Sequence, residues 1–196
     1  MTTTYAALKV LHVIAFVFMS IPLFNLIVVN ERLQMGSSFN YYADRYMENI
    51  IRHGATRCFV FQGTALATGV LLLLTGPLGI GALWGNWVLL VKTVLLFTLM
   101  ALLSYVHFSL QPRIEALLAG VGPEAAVPQD LPAHLKPYRV RRKRLATLCL
   151  FLVLTTIVLG LQVYERFTPA LTAALIVLAA LFAWRANRTL MSFGWI

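Results

Sequence analysis

The sequence predicts an all-α integral membrane protein, a bundle of five transmembrane helices with the N-terminus outside and the C-terminus in the cytoplasm. Its 196 residues are 60% hydrophobic and only 12% charged, and the apolar residues fall into five long runs. The basic residues gather between alternate runs. The formal net charge of +9 therefore indicates loops that face the anionic lipid of a bilayer, and we expect no nucleic acid as a partner.

The first span is predicted over about residues 5–28, with Pro22 as a kink that a membrane bundle tolerates. The chain start lacks the basic residues and the cleavage site of a secretory signal, so we expect this run to be retained. In the polar segment 40–52 that follows, tyrosines and charges alternate with apolar residues. This alternation predicts a short helix that lies in the membrane interface.

The second span is predicted over about residues 55–75, where Gly63, Ala65, Ala67 and Gly69 would let another helix approach closely. The third span covers about residues 87–110. It begins beside two tryptophans typical of the membrane interface, Trp84 and Trp87, and it is expected to end before Pro112.

Residues 120–137 are rich in Gly, Pro and Ala and are predicted to form a loop. The basic run Arg139–Arg144 is interpreted as a topology signal in contact with phospholipid. Spans four and five follow over about residues 145–163 and 169–184, within a single domain that covers residues 1–196.

The orientation follows from the positive-inside rule. The segments after the first and third spans hold most of the lysines and arginines, whereas the segment after the second span holds none. We therefore expect a multi-pass protein of the cell (inner) membrane. Arg57 is interpreted as a topology anchor, and the alternatives are that it binds a lipid phosphate, a quinone or a propionate.

Ionisable residues inside apolar spans are the best indicators of function, because their burial in hydrocarbon needs a partner. His12 and Lys92 form a predicted outer pair, and His53 and His107 form a predicted inner pair. The alternatives are that Lys92 snorkels to the interface, that His12 bonds a neighbouring helix, and that His53 and His107 are interfacial.

Imidazoles on neighbouring membrane helices are typical ligands of b-type haem, so haem b is the predicted cofactor, with His12 and His107 as candidate iron ligands. Lys92 and His53 are further candidates for cofactor binding. Lys9 lies one turn outward from His12 and is placed to pair with a haem propionate. Cys58 and Cys149 are interpreted as small buried hydrophobes. We find no nucleophile–base pattern, glycine-rich phosphate loop or zinc spacing.

The run Tyr-Ala-Ala-Leu-Lys-Val-Leu-His over residues 5–12 resembles the first helix of the HemJ-type protoporphyrinogen oxidases and of the related CopD-like membrane proteins. The helix from Trp87 through Lys92 to His107 is similar to a helix of the same group, and the resemblance covers roughly residues 5–115. It implies a bound b-type haem, with His12 and Lys92 as the functional residues.

The chain also departs from that family. The Trp-x-Ala-Gly expected in the first helix is replaced at residues 19–22, and Arg-Arg-Lys-Arg at residues 141–144 stands in place of an Asn-Glu-x-Pro element. Three functions stay open: a haem protein that transfers electrons alone or within a larger redox or photosynthetic complex, a cofactor-free structural or assembly subunit, and a HemJ-like oxidase. Copper transport, which the CopD-like relatives suggest, is not expected without dense Met and His clusters.

Overall fold

The computed structural model describes residues 3–30, 40–122, 128, 130–163 and 167–188, and these residues are helical with no β-strand among them. The helices are α1 (Thr3–Val29), α2 (Tyr41–Thr75), the short α3 (Ala82–Gly85), α4 (Trp87–Tyr105), a π turn (Val106–Leu110), α5 (Gln111–Ala119), α6 (Leu131–Leu161) and α7 (Pro169–Asn187). Five helical segments are long and apolar enough to cross a membrane. The predicted all-α, multi-pass bundle is confirmed, and its orientation stays a prediction.

The bundle is built around α1, which packs most extensively against α2 and then against α6, while α7 packs on α6. Buried apolar residues recur on α1 at helical spacing, as expected for a stripe that faces the bundle interior. The central core is formed by Phe16, Met19 and Leu23 of α1, Cys58 and Ala65 of α2, Leu96, Leu99 and Leu103 of α4, and Cys149, Leu150 and Val153 of α6. The two cysteines are free and buried, as predicted.

Residues 40–52 do not form a separate interfacial helix, because they are the first turns of the 35-residue helix α2. The side chain of Asn40 caps this helix by accepting a hydrogen bond from the Ala43 amide at 3.1 Å. Gly54 lies between the polar first turns of α2 and its apolar remainder, and it is close to Pro22 of α1. No helix-breaking residue separates the two parts, so the helix continues.

The third span does not end before Pro112, because a π turn carries the helix past the proline. A proline has no amide proton and its ring clashes with the carbonyl four residues earlier. The preceding turn widens over Val106–Leu110, where the Gln111 amide donates to the Val106 carbonyl. The helix then continues as α5 to Ala119.

Helix α6 begins at Leu131, so residues 131–137 of the predicted loop 120–137 and the basic run that follows them are helical. At 1.5 Å per residue, the 35 residues of α2 and the 31 of α6 extend about 52 and 46 Å, against roughly 30 Å of hydrocarbon. The helical turns in excess of the hydrocarbon thickness lie where residues 41–52 of α2, helix α5 and residues 131–144 of α6 meet. We call this part the head. It has its own apolar core, formed by Ile114, Leu118, Val121, Leu131 and Leu135.

Candidate functional site

His12 lies in the interface between α1 and α2, where its Nδ1 atom is 2.9 Å from the Thr68 hydroxyl oxygen. The single proton of that hydroxyl is donated to the Thr64 carbonyl at 2.6 Å. With the hydroxyl proton so donated, Thr68 accepts from His12, and we assign the imidazole proton to Nδ1. The Nε2 atom of the neutral ring then holds the lone pair, which is the form that ligates a metal.

Two neighbours fix the plane of the His12 ring. A Cβ atom at Gly69 would lie 3.1 Å from His12 Cε1, a tight contact, so the imidazole uses the space that the absent side chain leaves. On its own helix the ring meets Phe16 edge-on, with 5.2 Å between centroids and 72° between planes. The small residue at position 69, expected to let a helix approach, here makes room for a side chain.

Lys92 reaches the same aromatic ring from α4. Its Nζ atom is 5.8 Å from the Phe16 centroid, within range of a cation–π interaction. It also rests against α6, where a Cβ atom at Gly160 would lie 3.3 Å from Nζ. The structure therefore brings both members of the predicted outer pair to Phe16, and we call His12, Phe16, Thr68 and Lys92 the outer site.

The outer site lacks an acidic partner within the described part of the chain. None of the ion pairs there includes Lys92, although its side chain is partly buried inside a span. Lys9 lies one turn outward from His12 and is also partly buried, on the face where it was predicted. The outer site thus combines an imidazole lone pair with a cation.

The predicted inner pair is not brought together by the contacts of the described residues. His107 lies in the π turn against Phe59 and Phe108, beside a cavity of about 20 Å³, and its buried Nδ1 has no hydrogen-bond partner among the described residues. His53 is exposed and hydrogen-bonds the Asn49 carbonyl of its own helix at 2.8 Å. It does not line the cavity beside His107.

The largest set of buried charges was not predicted. It lies in the head and consists of Asp44 and Glu48 of α2 and Arg139 and Arg142 of α6, supported by the amides Asn30 and Gln111. We call these six residues the ion cluster. The segment containing the acids had been interpreted as interfacial, and the arginines as contacts to phospholipid. For Arg139 and Arg142 that interpretation is wrong, because both are buried in the protein.

Arg142 is fully buried at the centre of the ion cluster. It donates to both oxygens of Glu48, at 2.8 and 3.1 Å, to Gln111 at 2.7 Å and to Asn30 at 3.0 Å. Arg139 bridges the two acids, with 2.7 Å to Asp44 and 3.1 Å to Glu48. Such charge-assisted, multiply bonded pairs are the strong ones in proteins, and here they join α1, α2, α5 and α6.

A sequence signal for the ion cluster exists in the spacing of its charges. Asp44 and Glu48 are four residues apart, and Arg139 and Arg142 are three apart, so each pair lies on one helix face. The spacing does not say that these faces meet, because nearby exposed arginines such as Arg141 and Arg144 look the same in the sequence. Only the ion pairs between α2 and α6 separate the two groups.

The residues that the structure describes contain no group of three or more His, Cys, Asp or Glu that could hold a metal ion. Comparison of the chain with protein-family models, with curated proteins and with solved structures finds no match. The resemblance to the HemJ-type and CopD-like proteins therefore stays a prediction.

Proposed function

We propose that this chain binds one b-type haem in the cell (inner) membrane and acts in electron transfer, alone or as a subunit of a larger complex. The observation that carries the proposal is the outer site, where the His12 imidazole and the Lys92 ammonium meet at Phe16. A cation within a membrane span is costly unless an anion accompanies it. A ligand that brings both a metal and a carboxylate would satisfy both groups.

The donor set fits a haem that would be held by one imidazole and one cation. His12 would offer Nε2 to the iron while Thr68 holds the opposite ring nitrogen, which is the usual arrangement of a metal-bound histidine and its supporting hydrogen bond. Lys92 would supply the cation for a propionate, with Lys9 as a second candidate. The iron of a bound haem would carry one electron at a time.

The positions of the histidines do not fit a haem held by both His12 and His107. His107 lies fifteen residues after Lys92 on a continuous helical segment, which separates them by about 22 Å along the axis. His12 and Lys92 contact the same ring, so His107 is too distant to share an iron with His12. At the outer site His12 would therefore be the histidine that holds the haem iron.

The first experiment is to purify the full chain in mild detergent and to record reduced-minus-oxidised spectra with a pyridine haemochrome assay. We expect close to one haem b per chain and its loss in His12→Ala. The matched control is His134→Ala, because His134 is an exposed side chain paired only with Asp130 at the surface. A colourless wild-type protein would contradict the proposal and favour a cofactor-free structural subunit.

The second candidate function is a HemJ-like porphyrinogen oxidase. That function needs His12 and Lys92 to act on one substrate, and their convergence at Phe16 favours it. In this case Lys92 would hold a substrate carboxylate. The test is complementation of a strain that lacks protoporphyrinogen oxidation: wild type restores growth, and Lys92→Met retains haem but does not restore it. Failure of wild type to complement excludes this candidate and leaves the haem proposal standing.

A further inference from the structure

A cavity away from the outer site lies in a groove between α1 and α2. It has a volume of about 270 Å³ and is lined by apolar side chains, with Asn25 and Arg57 as its polar members. Phe18 and Ile21 are 46% and 47% exposed, so the groove opens on the outer surface of the bundle. Phe18 and Phe61 meet across it, with 6.1 Å between ring centroids.

The polar groups of the groove have no partner among the residues that the structure describes. Within the described residues neither Asn25 nor Arg57 makes a side-chain hydrogen bond or an ion pair, and both are exposed. This differs from the arginines of the ion cluster, which are buried and paired. A guanidinium beside an apolar groove in a spanning helix is therefore left for a ligand with an anionic head and an apolar tail.

The depth of Arg57 fits the head-group level of the leaflet at the basic end. Arg57 precedes Thr75, the last residue of α2, by eighteen residues, or about 27 Å along the helix. The hydrocarbon layer is roughly 30 Å thick. If the outer end of α2 lies at one surface, the guanidinium lies close to the other, and the apolar part of the groove then extends into the hydrocarbon.

We propose that this groove is a binding site for an anionic phospholipid of that leaflet. The guanidinium of Arg57 binds the phosphate, Asn25 donates to a head-group oxygen, and part of one acyl chain lies between Phe18, Ile21 and Phe61. The cavity is slightly smaller than a typical ligand pocket, which suits a segment of one chain rather than a whole lipid. The net charge of +9 and the basic end of the protein favour an anionic head group.

The test is native mass spectrometry of the full chain in detergent, with phosphatidylglycerol or phosphatidylcholine of identical acyl chains added. We expect wild type to retain phosphatidylglycerol in clear preference, and Arg57→Gln to weaken that binding about tenfold, as the loss of one charge-assisted hydrogen bond predicts. Arg113→Gln is the matched control, because Arg113 is also exposed at the basic end but lies on α5. It should change binding less than twofold.

A second variant tests the apolar part of the site without changing charge. Ile21→Trp should fill the groove and lower lipid retention at least threefold, while the protein stays monodisperse on size exclusion. Equal binding of the two lipids by wild type, equal losses in Arg57→Gln and Arg113→Gln, or no effect of Ile21→Trp would each overturn the proposal. Displacement of the phospholipid by an equimolar neutral isoprenoid quinone would also overturn it.

Discussion

The ion cluster and the outer site both enclose ionisable side chains, but only the ion cluster supplies its own counter-charges. Two carboxylates face two guanidiniums there, and two amides accept further hydrogen bonds from the terminal nitrogens of Arg142. At the outer site a lysine and a histidine meet at an aromatic ring, with one hydrogen bond to Thr68. Charges that are paired within the protein need no ligand. A cation without a counter-charge among the described residues leaves room for an anionic ligand.

The two regions also differ in depth. Glu48 precedes Thr75 by twenty-seven residues, about 40 Å along α2, which exceeds the roughly 30 Å of hydrocarbon. Thr68 precedes Thr75 by seven residues, about 10 Å, and so lies within the hydrocarbon. The comparison teaches that the ion cluster is part of how the head folds, and that the outer site is where an unmet charge is most costly.

The largest expected effect comes from breaking the ion cluster at its centre. Arg142→Met leaves Glu48, Asn30 and Gln111 without their common donor, and removing one partner of a buried ion pair costs about 3–5 kcal/mol of stability. Denaturation of the purified protein in detergent measures this. Arg144→Met, an exposed arginine on the same helix, should change stability by less than about 0.5 kcal/mol. Similar losses in the two variants would contradict a structural ion cluster.

The next largest effect tests whether Glu48 and Arg142 stabilise the protein as a pair. Replacing Glu48 and Arg142 together by methionine removes both charges, so neither is left buried and alone. We expect the double variant to lose at least about 1 kcal/mol less than the sum of the single losses, because contacting residues are not additive. The same denaturation measurement completes the double-mutant cycle. A strictly additive result would mean that the two residues do not act as a pair.

At the outer site, Thr68→Val keeps the shape of the side chain but leaves the His12 Nδ1 proton without its acceptor. An unsatisfied buried donor costs about 1–3 kcal/mol, and loss of a supporting bond weakens metal binding about 10- to 100-fold. Stability and haem retention are both measured. Thr98→Val is the control, since that exposed threonine bonds only the Val94 carbonyl of its own helix. If both variants retain haem equally, Thr68 does not position His12.

The smallest effect tests the space beside the imidazole. A Cβ atom at Gly69 would approach His12 Cε1 to 3.1 Å, whereas a Cβ atom at Gly63 would meet nothing within 4 Å. Glycine to alanine in a helix gains up to about 1 kcal/mol where space is free. Gly63→Ala should therefore stabilise the protein, and Gly69→Ala should lose most or all of that gain. A matching gain at both positions would show that the ring moves freely.

The five helices were predictable because hydropathy and length are properties of single segments. Residues such as Trp87 and Pro169, where α4 and α7 begin, mark span ends that the sequence displays directly. The head was not predictable in the same way. Asp44, Glu48, Arg139 and Arg142 look like solvated charges until their helices pack, because burial of a charge depends on a partner that is distant in the sequence.

The outer site could be predicted in part. The depth of His12 and Lys92 could be read from the spans, and their meeting at Phe16 agrees with the predicted outer pair. The residues that contact His12 and Lys92 could not be predicted from the sequence, because Thr68, Gly69 and Gly160 are ordinary residues of membrane helices. The inner pair failed to assemble for a related reason, since the exposed face of α2 that carries His53 does not line the cavity beside His107.

The packing of the head depends on the number of residues in the π turn before Pro112 as well as on their identity. Each residue of an α-helix advances the chain by about 100°, and a π turn holds an extra residue, so everything beyond it is offset by that angle. Deleting Ser109 would restore the α-helical register and rotate Gln111 away from Glu48 and Arg142. A substitution at Ser109 keeps the count. A change of chain length within this turn should therefore disrupt the ion cluster.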